Sequence, residues 1–316
     1  MEIIPSKIYD DYLNNNLDKN SAIEILISLI EDSDIADIRI DSIHYLIKID
    51  GKNERIFKLL ENLMISDSNE EVRNASAKEI SNKFLNKALD PMKWAIQYES
   101  NYDCLITVIK TLESINNNES KTVLLNEMKR IRKKKYIDNA KQYNNKRFRK
   151  ELKQLIKNKV IKNYSCKQLA DIIINFRTIE ALIKKFYRVY YELENALVIG
   201  LDLSEMGWNV NIWKQPYAER IQDISEITGL LNLDLKKLDL SNNRIKNVKG
   251  LITLKNLTYL KISNNRIEDI KNLDYFKNMS SLEFLDIKRN KIIEKIDIRE
   301  FDKKLKILYK KGLTFI

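Results

Sequence analysis

The sequence predicts an α+β two-solenoid chain, an all-α helical-repeat domain followed by a short α/β repeat solenoid. Three observations predict it. Apolar residues recur every three or four positions through the first half, the spacing of helices that bury one face. From about residue 197 the spacing changes to one that recurs after 22 residues, and a unit that short must stack on copies of itself to bury its apolar side. The 316 residues include only 6 Gly and 3 Pro, too few for a turn-rich β-sandwich. This length suits two domains, and a 44% hydrophobic composition supplies their cores.

The first domain is expected over residues 1–118. Helical periodicity runs through Ile23–Ile30, Ile35–Ile49, Ile56–Met64, Val72–Phe84, Met92–Ile96 and Leu105–Ile115. Ser68-x-x-Glu71 and Ser165-x-x-Gln168 have the spacing of capping boxes. The segment DIRIDSIHYLIKI begins 34 residues before EVRNASAKEISNKF, aligning Ile38-Arg39 with Val72-Arg73, and DCLITVIKTLESI follows about one period later without the Arg. This Asp/Glu, Val/Ile-Arg, small-residue pattern over about 20–118 is similar to HEAT or armadillo repeats. The resemblance implies paired helices stacked in an array.

Residues 119–164 read as a basic helical bridge. Leu125, Met128 and Ile131 continue a helix, DNAKQYNN interrupts it, and KRFRKELKQLIKN resumes one. Residues 121–167 carry 17 basic and 3 acidic side chains, whereas residues 1–50 carry 4 basic and 11 acidic ones. The net charge of +11 therefore comes from one segment.

The third region is expected over 165–316, opening with a covering helix from about Ser165 to Tyr191. In LDLKKLDLSNNRIKNVKGLITL the apolar places are Leu235, Leu238, Leu240, Ile245, Val248, Leu251 and Leu254, with Asn243 between them. The next copy supplies Leu257, Leu260, Ile262, Asn265, Ile267, Ile270, Leu273 and Phe276. After three extra residues come Leu282, Leu285, Ile287, Asn290 and Ile292, then Ile298 and Phe301. L-x-x-L-x-L is a turn into a short strand with alternate residues inward, and the Asn can satisfy backbone groups that the following bend leaves unpaired. An earlier copy is expected at Val198, Leu201 and Leu203. Met206 takes the Asn place there, and an insertion holds Trp208, Trp213 and Pro216. Ile221, Ile224, Ile227, Leu230 and Leu233 then step by three as the back of a repeat, and FDKKLKILYKKGLTFI is expected to be a terminal cap. The pattern resembles the leucine-rich-repeat family, 22-residue class, over about 198–301, which implies a leucine-rich-repeat solenoid that binds proteins on its concave face.

Little in the sequence suggests catalysis. His44 is the single histidine and sits in a helical segment, as expected of a surface or seam residue. The glycines at 51, 200, 207, 229, 250 and 312 form no phosphate loop, and no His/Cys/Asp set has metal-ligand spacing. Cys104 and Cys166 are expected as buried thiols, which suits a reducing, cytoplasmic setting. No run of eighteen apolar residues and no signal-peptide core is present. The expectation is a non-enzyme without cofactor or metal.

Two surfaces are candidates for binding. On the concave face the register stacks Gly200, Lys237, Tyr259 and Phe284, then Asp202, Asp239, Lys261 and Asp286, then Ser204, Ser241, Ser263 and Lys288. Lys237, Asp239, Tyr259, Lys261, Phe284 and Asp286 are the expected partner-binding set, since aromatics amid charges are the composition of an interface hot spot. Simple cross-strand pairing of Tyr259 with Phe284 is the competing reading. The second surface is the bridge, where Lys129, Arg130, Arg132, Lys133, Lys134, Lys135, Lys146, Arg147 and Arg149 interleave with Tyr136, Tyr143 and Phe148. Phosphate neutralisation with base stacking makes this a candidate polyanion site. A solvated linker, an anionic membrane surface and attraction to the acidic first 50 residues are the alternatives. The sequence thus favours a protein-binding scaffold or adaptor over its alternative, a nucleic-acid-binding protein acting weakly through 121–167.

Overall fold

The computed structural model describes residues 4–133, 142–158, 160–186, 189–204, 220–295, 297, 299, 301 and 305–308. They divide into two compact units, Met1–Ile131 with Asn163–Ile173, and Arg132–Lys162 with Ile174–Ile316. Trp208, Trp213, Pro216 and Ile298 fall outside the described residues.

The first unit is built on α1 (Pro5–Leu13), α2 (Lys19–Asp32), α3 (Ala36–Asp50), α4 (Glu54–Ser66), α5 (Glu70–Lys83), α6 (Leu89–Tyr98) and α7 (Tyr102–Ile115), followed by α8 (Asn118–Lys133). The helices pair as α2 with α3, α4 with α5 and α6 with α7, while α3 packs on α5 and α5 on α7. Leu26, Leu46, Ile56, Leu60, Ile80, Met92, Val108 and Leu112 fill the core. Full burial of each large aliphatic side chain contributes roughly 1.5–3 kcal/mol.

The turns within the pairs recur as closely as the helices. Ser33, Asp67 and Glu99 end α2, α4 and α6, and the side chain of each accepts the backbone N–H two residues on, from Ile35, Asn69 and Asn101. The two aligned arginines then tie one turn to the next. Arg39 pairs with Asp67. Arg73 donates from Nε to Glu99 at 2.8 Å and from Nη1 to the Asp67 carbonyl at 2.8 Å. The third copy has Thr107 in the Arg place, and its hydroxyl donates to Asn74 Oδ1 at 2.8 Å.

One sequence expectation fails at α5. The cap is Asn69, not Ser68: the Asn69 side chain accepts from Glu71 N and Val72 N. Asp67 already closes the preceding turn, so the helix starts one residue later than the Ser-x-x-Glu spacing suggests. The second expected box forms, with Ser165 N donating to Gln168 Oε1 at 2.9 Å and Gln168 N to Ser165 Oγ at 3.2 Å.

The second unit contains α9 (Gln142–Lys157) and a six-stranded sheet in chain order. The chain reaches the sheet from α10 (Cys166–Lys185). The strands are β1 (Tyr190–Glu194), β2 (Leu197–Asp202), β3 (Lys237–Asp239), β4 (Tyr259–Lys261), β5 (Phe284–Asp286) and β6 (Lys306–Leu308). β2 to β6 are parallel, one strand per repeat, in the register drawn from the sequence: Gly200, Lys237, Tyr259 and Phe284 align, as do Asp202, Asp239, Lys261 and Asp286. The inward Leu238, Leu240, Leu260, Ile262, Leu285 and Ile287 are buried, as is the stepped series from Ile221 to Leu233.

Two elements differ from expectation. The covering helix ends at Lys185 rather than Tyr191, and β1 runs antiparallel to β2. Asn195 and Ala196, at φ 53° and 61°, make the two-residue turn whose left-handed geometry suits a hairpin. This antiparallel strand uses the free edge of β2, an edge that invites pairing. At the other end, the segment expected as a cap contributes β6, which pairs with β5 through Phe284 and Lys306.

The asparagines perform the role their spacing implied. Asn243 donates to the Leu203, Leu240 and Ser241 carbonyls and accepts from Ile221 N. Asn265 and Asn290 repeat this set one and two copies on. Asn243 and Asn290 are buried, whereas Asn265 is only half-buried. The residue before each, Asn242, Asn264 or Arg289, sits at φ 61°, 54° or 55°, the left-handed region that asparagine tolerates best among residues with a side chain. The repeat beginning at Leu257 absorbs its extra residues in α11 (Lys271–Lys277), where the preceding repeat has only a 3-10 segment, Lys249–Thr253. Ile270, expected inward, is 55% exposed at the start of that helix.

Candidate functional site

The open face of the sheet is built from residues alternate to the buried leucines. One row crosses it as Glu192, Gly200, Lys237, Tyr259, Phe284 and Lys306. The adjacent row reads Tyr190, Asp202, Asp239, Lys261 and Asp286. The columns predicted from the sequence are thereby brought together. Tyr190 and Glu192 extend them, residues that the expected helix to Tyr191 does not place on this face.

At the centre, the Tyr259 and Phe284 rings lie parallel, 6° apart in plane with centroids 4.3 Å apart, and both are half-buried. Charges ring them in pairs. Lys237 Nζ reaches Glu192 at 2.9 Å, Lys236 reaches Glu194 at 2.9 Å, and Lys261 and Lys288 reach Asp239 and Asp286 at 3.5 Å each. Each aspartate also accepts a backbone N–H two residues on: Asp202 from Ser204, Asp239 from Ser241 and Asp286 from Lys288. Burial works against the Lys261 ammonium, but the charge of Asp239 and hydrogen bonds with Tyr259 and Asp239 outweigh it, so its pKa lies above the ordinary lysine value. Asp286 is 7% exposed and offers a partner far less surface than the sequence pattern implied.

Gly200 makes room for one of these pairs. A Cβ there would come within 3.2 Å of the Glu192 side chain, which lies over the glycine to reach Lys237. Beside it is a cavity of about 490 Å³, with Tyr190, Asp202, Asp239 and Tyr259 in its lining.

The described part of the basic segment divides between exposed and packed side chains. Lys134, Lys135 and Tyr136 lie outside the described residues, as do the side chains of Lys133, Tyr143 and Lys146. Lys129 and Arg147 are exposed, while Arg132 and Arg149 are half-buried. Burial depresses the Arg149 pKa below the usual arginine value. Arg130 donates to the Ile96 and Gln97 carbonyls at 2.7 and 2.8 Å and pairs with the buried Glu127. It thereby satisfies end-of-helix carbonyls that would otherwise lack donors. Phe148 is fully buried, edge-on to Phe176 at 5.3 Å, so it has no free ring for base stacking.

His44 is exposed on α3, its Nδ1 3.9 Å from Glu79 Oε1. Cys104 and Cys166 are free and buried, and burial pushes the Cys104 thiol up to about 12. Among the described residues, no three His, Cys, Asp or Glu side chains are grouped to hold a metal ion, and no helix is long and apolar enough to cross a membrane.

The sequence matches a family model for leucine rich repeats in two copies, residues 234–275 and 255–303, the stretch that forms β3 to β5 and their returns. No curated protein matches the chain.

Proposed function

We propose that this chain is a non-enzymatic cytoplasmic scaffold or adaptor that holds a protein partner on the open face of its repeat sheet. Repeats of this type stack into solenoids whose extended surfaces suit protein recognition, and the same reading treats the first unit as a HEAT-like helical array. The recurring pair turns and the Arg39 and Arg73 ties support that array.

The observation that carries the proposal is the stacked Tyr259–Phe284 pair, set among ion pairs in the middle of a sheet face. Large aromatics centred in a charged rim are where binding energy concentrates. Arg130 and Phe148 serve the fold itself, which takes one cation and one ring away from the nucleic-acid alternative.

The test is affinity capture with the full chain and with a Tyr259→Ser/Phe284→Ser variant. Losing a hot spot of about 2 kcal/mol or more weakens binding roughly 30-fold, so the specific partners should vanish from the variant's capture. Thermal unfolding should register the lost ring pairing, about 0.5–1.5 kcal/mol, together with the apolar area that the two half-buried rings cover. An unchanged set of partners on a folded variant would refute the proposal.

A further inference from the structure

The cavity beside Gly200 has a charge and a shape that select one kind of group. Its volume of about 490 Å³ falls within the ~300–1,000 Å³ of ordinary ligand pockets. Its charged walls are mostly self-neutralised: Lys237 is held by Glu192 at 2.9 Å, and Lys261 stands 3.5 Å from Asp239. That leaves Asp202. Its Oδ1 accepts from Ser204 N at 2.9 Å, and among the described residues no cation pairs with it. Asp202 and Asp239 are register partners on neighbouring parallel strands, so their backbones stand about 4.8 Å apart, the usual strand spacing, and both side chains line the cavity.

The flanks are aromatic. Tyr190 is the register partner of Asp202 on its other side and is 58% exposed. Tyr259 stands across the cavity, its ring already 5.6 Å from the Lys261 ammonium. Aromatic faces attract cations. A planar guanidinium can present its fork to carboxylates while lying against a ring, which a compact ammonium cannot do.

We propose that this cavity receives an arginine side chain of the partner, with Asp202 as its principal carboxylate, Asp239 as the second and Tyr190 and Tyr259 as its walls. The inference rests on the reading of this sheet face as the binding face and names the chemistry of what docks there. Gly200 is a positioning residue, since a Cβ there would press at 3.2 Å on the Glu192 side chain that holds Lys237.

The experiment uses the full chain and a small probe, N-acetyl-arginine amide, titrated by NMR at low ionic strength. Its uncharged isostere, N-acetyl-citrulline amide, is the comparison. The arginine probe should bind in the millimolar range, weaken as salt is added, and bind at least fivefold more tightly than the citrulline probe. Asp202→Asn should weaken it at least fivefold, and Gly200→Ala should weaken it measurably. Glu268→Gln removes the same unit of charge from an exposed ion pair outside this cavity and should leave binding unchanged. Equal binding of the two probes, or an Asp202→Asn variant that is folded and binds as wild type, overturns the inference. A chain that captures its partner through Tyr259 and Phe284 but ignores the arginine probe refutes the cavity assignment alone. Loss of the wider reading would show instead as capture indifferent to those two rings.

Discussion

Replacing Asn290 by Ala tests the physical reason for the repeat. The Asn290 side chain accepts from Ile267 N at 3.1 Å and donates to the carbonyls of Ile262 at 3.0 Å, Ile287 at 3.0 Å and Lys288 at 3.4 Å. Two of those partners, Ile262 and Ile267, belong to the preceding repeat, so the amide ties neighbouring copies together. Alanine leaves the Ile267 N–H without its acceptor and the Ile287 carbonyl without the Asn290 amide, in a place where Ile267, Ile287 and Asn290 are all buried, while the Ile262 carbonyl keeps the Asn265 amide at 3.0 Å. Each orphaned buried group costs about 1–3 kcal/mol, so a loss of about 3 kcal/mol is expected. Asn243 makes the equivalent four bonds and is equally buried, so Asn243→Ala should cost about as much. Asn265 is only half-buried, so water can replace part of what it supplies, and Asn265→Ala should cost about 1–2 kcal/mol. A chain of two units need not unfold in one step. The assay is therefore urea unfolding combined with native-state hydrogen exchange at the Ile221, Ile245 and Ile267 amides, each held by one of these asparagines. The reasoning fails if Asn265→Ala costs as much as the other two, or if the amide facing each substituted asparagine keeps its protection.

The first unit should show a pH dependence traceable to Glu99. Burial opposes ionisation of its carboxyl, but the hydrogen bond from Arg73 and the N–H groups of Asn101 and Ser100 outweigh it and hold the pKa below the ordinary value. A depressed folded-state pKa means that the group's stabilisation is present above the unfolded value, about 4.3 for glutamate, and is lost as pH falls through the folded one. Arg73→Met should destabilise by about 2–3 kcal/mol at neutral pH, somewhat less than a wholly buried pair because Arg73 keeps some solvent contact. The gap from wild type should shrink as the pH drops toward the range where Glu99 protonates, and a pH-independent gap in chemical unfolding would contradict the assignment. Asn69→Ala should cost about 1 kcal/mol as the loss of a helix cap, with Ser68→Ala nearly neutral; equal effects in thermal melts would restore the capping box expected from sequence. The Cys104 thiol, raised to about 12 by burial, should resist a disulfide reagent at pH 8 in the native protein and react rapidly in denaturant. Native-state reaction at the rate of a free thiol would contradict its burial.

Much of the second unit was legible because its repeat imposes the same demand several times. Leu238, Leu260 and Leu285 must point inward at one register for the sheet to bury anything, and Asn243, Asn265 and Asn290 must meet the same orphaned backbone groups at each bend. Coincidence is hard to sustain over three copies. The columns proposed to bind a partner follow from that register, since the residues between the leucines can only face outward. β1 was not legible in the same way. Tyr190–Glu194 alternates over only five residues, with Tyr191 and Leu193 turned inward, and its turn is Asn195-Ala196 rather than an Asn-Gly pair. It is a strand because the edge of β2 is available to it. Asn69 and Ser68 are both good caps, and the choice between them depends on Asp67 closing the turn before α5. Asp286 and Ile270 depart from the expected inside–outside pattern: Asp286 is buried, holding Lys288, and Ile270 lies at the start of the helix that takes up the longer repeat.

The sequence by itself determined the helical first half, the aligned Arg39 and Arg73, the stacking register of the parallel strands and the aromatic pair at their centre. These are local periodicities that carry the burial pattern with them. Only the tertiary structure decided that Arg39 and Arg73 tie successive turns together, and that Tyr190 and Glu192 join a face with Asp202, Asp239 and Tyr259 around a cavity opened by Gly200. Strand pairing is made by backbone groups that every residue shares. Which distant segments become neighbours therefore leaves little trace in the side chains and emerges only when the chain has folded.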